Sequence, residues 1–78
     1  MDKDELAVLR LLNSKDFQIH CHGSNGEIRS ELGWDDSTRV TKALKRLRSE
    51  GLVSSDGHFP AVWSPTEAGK IANEQQVR

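Results

Sequence analysis

Apolar residues recur along the chain with two periods, one typical of helices and the other of strands. Leu6, Leu9 and Leu12 lie at helical spacing behind an acidic first turn, which predicts a first helix over residues 3–13. Residues 17–21 alternate apolar with polar side chains, as in a short strand with one buried face. We therefore expect a helix followed by one short strand.

Further signals predict two helices joined by a tight turn. Ser24 and Glu27 form a capping box, in which the serine side chain reaches forward and the glutamate reaches back, and Gly33 ends this short helix. The next helix begins at one of three competent N-cap residues: Asp35, Asp36 and Ser37.

The helix that follows, over residues 37–50, combines an apolar stripe with a strongly cationic remainder. The helix ends at Gly51, and its apolar stripe, spaced to face a core, consists of Val40, Ala43, Leu44 and Leu47. The segment has five cationic side chains and one acidic one, a net charge of +4 in a chain of −1, which leaves −5 for the remainder. Such segregation favours one cationic surface that docks against a polyanion.

The last third of the chain predicts a hairpin and a final helix. Residues 52–55 and 61–64 are typical of strands, and they flank residues 56–60, a hairpin connection whose turn lies at the Asp-Gly pair of residues 56–57. The last helix should run from Pro65 to about residue 76, with Thr66 as its N-cap.

The predicted order of elements is helix, short strand, helix, helix, β-hairpin, helix. This order indicates an α+β domain, mostly helical, that spans residues 1–78 as one unit of winged helix-turn-helix type. The hairpin is then the wing. In such a pair the second helix, here residues 37–50, enters the major groove of duplex DNA.

The cationic helix divides into two sets of candidate DNA contacts. Its first two turns carry side chains suited to base edges: Thr38, Arg39, Thr41 and Lys42. Ser37, at the start of the helix, is a further candidate DNA contact. Its later turns carry side chains suited to phosphates: Lys45, Arg46 and Arg48. If about four phosphates are neutralised, log affinity should fall with log salt concentration with a slope of about −3.6.

Residues 27–33, 40–53 and 63–69 resemble the winged-helix core of MarR-type bacterial and archaeal transcription regulators. The resemblance implies a DNA-binding fold, with base-reading positions at Thr38, Arg39, Thr41 and Lys42. It also places the wing tip at residues 56–59, where His58 becomes a candidate DNA contact. The tip carries Asp56 and His58 where members of the family commonly have Arg or Lys, and the turn before Val40 is one residue longer.

The predicted function is that of a small transcription regulator that binds specific duplex DNA sequences, with a homodimer as an open possibility. The alternative is a winged-helix adaptor in a nucleic-acid-processing complex, which would show a contiguous apolar patch rather than a basic helix. An enzyme is not expected, because the sequence has no nucleophile elbow, phosphate loop or zinc-hydrolase helix. No cofactor or small-molecule ligand is predicted.

His20, Cys21 and His22 resemble a metal-binding cluster in composition. In a strand the two histidines would face one side and the cysteine the other, and a structural zinc site needs four convergent ligands. We therefore expect a buried cysteine, two surface histidines and no metal. One cysteine, and no apolar run of the roughly 20 residues that a membrane span needs, favour a cytoplasmic protein.

Trp34 and Trp63 have two possible roles. Exposed tryptophans can serve as stacking platforms for single-stranded nucleic acid. Next to a helix-turn-helix turn or on a wing strand, an aromatic side chain more often fills a small core, and we expect both to do so.

Overall fold

A computed structural model of the protein describes residues 2–20, 23–57 and 61–77. These residues form a small, mostly helical α+β fold with one two-stranded antiparallel sheet. Its elements in chain order are α1 (Lys3–Leu12), α2 (Lys15–His20), α3 (Asn25–Leu32), α4 (Ser37–Ser49), β1 (Val53–Ser55), β2 (Trp63–Pro65) and α5 (Glu67–Val77). No helix in these ranges is both long and apolar enough to cross a membrane.

The prediction of a strand over residues 17–21 is wrong, because residues 15–20 form the helix α2. Ser14 begins this helix: its carbonyl accepts from the Gln18 N–H at 3.0 Å, and its hydroxyl from the Phe17 N–H at 3.4 Å. In a strand Phe17 and Ile19 would share a face, whereas Phe17 is 5% exposed and Ile19 is 74% exposed. The hydrogen bonds of Ser14 thus favour a helix here, and an alternation of apolar and polar residues over five positions was too short to predict a strand reliably.

The two helices α3 and α4 follow the predicted capping signals closely. The capping box of Ser24 and Glu27 is present in both directions, and Gly33 ends α3 with a φ of 69°. Of the three possible N-caps of α4, Asp36 is the one used, since its carboxylate accepts from the Thr38 N–H at 2.9 Å. Two helices joined by a tight turn are therefore confirmed.

Buried apolar side chains from α1, α2, α3, α4 and β1 form one core. α4 provides the stripe expected from its spacing, and all four members of that stripe are buried. The buried members are Val8, Leu9, Leu12, Phe17, Ile28, Val40, Ala43, Leu44, Leu47, Leu52 and Val53. Trp34 and Trp63 pack against this core as partly buried side chains, which confirms the core interpretation of both.

The second strand lies later in the chain than predicted. Val53 pairs with Pro65 and Ser55 with Trp63, so Pro65 ends β2 and does not open the last helix. A two-stranded sheet has only edge strands, where a residue without an N–H is tolerated. Thr66 nevertheless caps α5 as expected, because its hydroxyl accepts from the Gly69 N–H at 3.1 Å.

The connection between β1 and β2 covers residues 56–62, two more than the predicted 56–60 with its turn at Asp-Gly. Gly57 has a φ of 78°, as such a turn requires, and the Asp56 N–H donates to the Val62 carbonyl at 3.1 Å. The rest of the predicted wing tip, including the candidate contact His58, lies outside the described residues.

Candidate nucleic-acid interface

The helix α4 is placed by its apolar stripe, which packs against α1, α3 and β1. With that stripe buried, the opposite side faces solvent. The side chains on it follow one another at helical intervals and form what we call the outer stripe: Thr38, Lys42, Lys45 and Ser49.

The outer stripe is open to a ligand. All four of its residues are exposed. Within residues 2–20, 23–57 and 61–77, the side chains of Lys42 and Lys45 make no hydrogen bond or ion pair. Two lysines at this spacing on one exposed face present mobile ammonium groups, which suit the phosphate oxygens of a nucleic acid.

The side of α4 that faces α1 is different, because its arginines are already paired. Nε and Nη2 of Arg39 each donate to the Asp4 carboxylate at 2.8 Å, a bidentate pair. The same guanidinium lies 4.0 Å from the centre of the Trp34 ring, where a cation–π contact forms. Arg39 is thus held between the first turn of α1 and the turn that precedes α4.

This pairing shifts the acid–base properties of both partners. The hydrogen bond from Arg39 lowers the pKa of Asp4 below its ordinary value, since it stabilises the ionised carboxylate. The reciprocal hydrogen bond raises the pKa of Arg39 above its ordinary value. Both groups therefore carry full charge at neutral pH.

Arg46, two turns further along α4, is paired in a second way. Its Nη1 lies 3.5 Å from Oε1 of Glu5 and 4.0 Å from Oδ2 of Asp2. The side chain of Glu5 is 5% exposed, whereas that of Arg46 is 67% exposed. A buried carboxylate is costly without a compensating charge, so Arg46 compensates Glu5 at the surface.

The side of α4 that faces α3 contains one side chain that is already hydrogen-bonded. Thr41 is partly buried; its hydroxyl accepts from the Asn25 amide at 2.8 Å and donates to the Ser37 carbonyl at 3.1 Å. Arg48 lies two turns further on the same side, exposed and, in the described part of the chain, without a partner. The α3 side therefore offers one free cation near the C-terminal end of α4.

The free positive charge of α4 lies towards its middle and its end. Asp36 caps the first turn of α4 and Asp35 precedes Asp36, so two exposed carboxylates lie at the N-terminus of α4. Lys42, Lys45 and Arg48 occupy the later turns. Of the five cationic side chains that the sequence places on α4, these three have no partner among the described residues.

The acidic partners Asp2, Asp4 and Glu5 were not among the candidate site residues. The signal that could have identified them is the same acidic first turn that predicted α1, which sequence reasoning assigned only to the helix dipole. Asp4 and Arg39 lie 35 residues apart in the chain, so local spacing could not relate them.

The described residues contain no group of three or more His, Cys, Asp or Glu side chains that could hold a metal ion. His20 lies at the end of α2, where a strand was predicted. Cys21 and His22 lie outside the described residues, so their expected surroundings stay a prediction.

No family model matches the chain, and comparisons with curated proteins and with solved structures found no match.

Proposed function

We propose that the protein is a winged helix-turn-helix, MarR-like regulator that binds duplex DNA by placing α4 in the major groove. The observation that carries the proposal is the outer stripe, together with Arg48. Three exposed cations without partners in the described residues lie on the second helix of a helix–turn–helix pair, on a molecule that is acidic elsewhere.

The order of elements supports the proposed docking. The major groove accepts one α-helix, and α4 is the helix whose exposed side is cationic over its later turns. The antiparallel pair β1 and β2 follows α4 directly, at the place where a wing would lie beside the groove. Thr38 on the outer stripe is a side chain able to reach a base edge, and the lysines suit phosphates.

An adaptor function has less support from the exposed surface. The large apolar side chains that are exposed in the described part of the chain are Ile19 on α2 and Ile71 on α5. They belong to two separate helices, whereas a protein-docking surface usually presents a contiguous apolar patch.

The proposal is tested by fluorescence anisotropy with labelled duplexes at two salt concentrations. We expect binding at low salt that weakens steeply as salt rises. The double variant Lys42→Glu/Lys45→Glu should weaken binding about tenfold or more. The matched control, Lys15→Glu/Lys70→Glu, makes the same charge change on α2 and α5 and should have a much smaller effect.

Sequence preference is tested separately, by selection from a pool of random duplexes. We expect an enriched motif, whose base preferences change in the variant Thr38→Ala. No duplex binding at low salt would overturn the proposal as a whole. Binding without any enriched motif would overturn its sequence-specific part.

A further inference from the structure

The N-terminal turn of α1 lies against the same helix that we propose as the DNA-binding element. A cleft of about 160 Å³ lies between the side chains of this turn and those of α4. Its α1 wall carries three carboxylates, which we call the acidic turn: Asp2, Asp4 and Glu5. Its α4 wall carries Arg39, Lys42, Ala43 and Arg46. Two of the five cations of α4 are therefore paired with carboxylates of the same chain.

We propose, on the basis of the DNA-binding function proposed above, that the acidic turn is an internal competitor for DNA. It occupies Arg39 and Arg46, so that duplex DNA engages Lys42, Lys45 and Arg48 only. The competitor thereby weakens affinity for duplex DNA and reduces its salt dependence, and it removes Arg39 from base reading.

The competition follows from the geometry of the guanidinium group. A carboxylate, a phosphate and the O6/N7 edge of guanine all bind arginine through two parallel N–H donors. In Arg39 one such edge, Nε with Nη2, is occupied by Asp4 at 2.8 Å for each bond. One face of the planar guanidinium is covered by the Trp34 ring. A nucleic acid can use that edge only if Asp4 releases it.

Arg46 is restrained through a different carboxylate. Glu5 is buried, so loss of Arg46 would leave the Glu5 carboxylate without a compensating charge. A phosphate that approached Arg46 would also approach Asp2 and Glu5, and like charges repel. This side of α4 is therefore screened, whereas Lys45 and Arg48 do not line the cleft.

The number of free cations sets a measurable quantity. The slope of log affinity against log salt is about −0.9 for each phosphate neutralised on duplex DNA. Three cations give a slope of about −2.7, whereas all five cations of α4 would give about −4.5. The wild-type protein should therefore show the smaller slope.

The decisive variant is Asp4→Asn, which keeps the shape of the side chain and frees the Arg39 fork. We expect tighter duplex binding, on the order of five- to tenfold at about 0.1 M salt, and a slope steeper by about 0.9. The control Asp16→Asn makes the same charge change on α2, where Asp16 is exposed. It corrects for the net charge of the molecule and should produce much smaller changes.

A second variant keeps the proposal falsifiable if Asp4→Asn folds poorly. Arg39→Gln should weaken wild-type binding much less than Lys45→Gln, which should weaken it several-fold. In the double variant Asp4→Asn/Arg39→Gln, the gain in affinity should disappear. Circular dichroism and thermal melting establish that each variant is folded at the assay temperature.

The outcomes separate this inference from the proposed function. If the wild-type protein binds no duplex, the function itself fails. If the wild type binds duplex DNA, the proposed competition is overturned when the Asp4→Asn variant binds DNA no more tightly than the Asp16→Asn variant. It is also overturned if Arg39→Gln weakens wild-type binding as much as Lys45→Gln does.

Discussion

Arg39 shows how the neighbours of a side chain decide its role. By residue type it is suited to read guanine, but Asp4 occupies its bidentate edge and Trp34 covers one of its faces. Lys45, two turns away, has the same sign of charge and no partner in the described ranges. Two cations on one helix therefore differ in what they can bind.

The titration of Asp4 tests this pairing directly. The pKa of Asp4 lies below its ordinary value because Arg39 donates to the ionised form. A lowered pKa adds stability above the ordinary pKa, and that stability is lost as the pH falls through the lowered value. We expect Arg39→Gln to return the pKa of Asp4 towards its ordinary value and to reduce stability at neutral pH but not in strong acid.

Carboxyl chemical shifts followed by NMR over an acid titration measure this effect. The control Lys45→Gln removes one positive charge from α4 without touching Asp4, and should leave the titration of Asp4 nearly unchanged. An Asp4 curve that is the same in the wild type and in Arg39→Gln would contradict the pairing in solution.

At the scale of elements, the fold depends on how α5 joins the end of α4. The Thr66 hydroxyl donates to the Gly51 carbonyl at 2.6 Å, and the Thr66 N–H donates to the Leu52 carbonyl at 3.0 Å. Gly69 then lies directly against the Leu52 carbonyl, with no room for a Cβ. This contact sets how closely α5 can approach the segment that leads into β1.

Gly69→Ala tests that close approach. Alanine favours a helix by about 0.5–1 kcal/mol over glycine, but overpacking against a fixed backbone atom costs about 1–3 kcal/mol. We expect net destabilisation, measured by urea unfolding. The control Gly26→Ala in α3 meets open space and should be neutral or slightly stabilising. Equal effects of the two substitutions would contradict the close contact.

At the scale of the whole molecule, opposite charges lie on two helices that pack against each other, α1 and α4. The acidic N-terminus of α1 and the cationic α4 lie side by side, and their apolar faces share one core. This arrangement holds the chain's start against its middle and leaves the positive charges of Lys45 and Arg48 outside the acidic cleft.

The pair of Glu5 and Arg46 should contribute to global stability. Removing Arg46 leaves the buried Glu5 carboxylate without its compensating charge, so we expect Arg46→Ala to lower the free energy of unfolding by about 1–2 kcal/mol. Arg48→Ala removes an equal charge from the same last turn and should cost less than about 0.5 kcal/mol. Chemical denaturation measures both.

A rescue variant completes that experiment. Glu5→Gln in the Arg46→Ala background replaces the buried charge with a neutral amide, which costs less to bury, and should recover part of the loss. Similar losses in Arg46→Ala and Arg48→Ala would show that Arg46 is only a surface cation.

The amino-acid sequence by itself determined the parts of the protein that depend on neighbours a few residues away. The capping box at Ser24, the stop at Gly33 and the apolar stripe of α4 are confirmed, because caps and helical spacing act within one or two turns. The cationic character of α4 is also a local property, and it required no knowledge of the fold.

Only the tertiary structure decided what distant residues do to one another. The short alternating segment before Gly23 became the helix α2, and β2 extends to Pro65, because short segments take the conformation that capping and packing favour. Arg39 and Arg46 became partners of the acidic turn because the core brings α1 against α4. The sequence determines which residues of α4 are cationic, whereas their availability to a ligand depends on which carboxylates the fold places beside them.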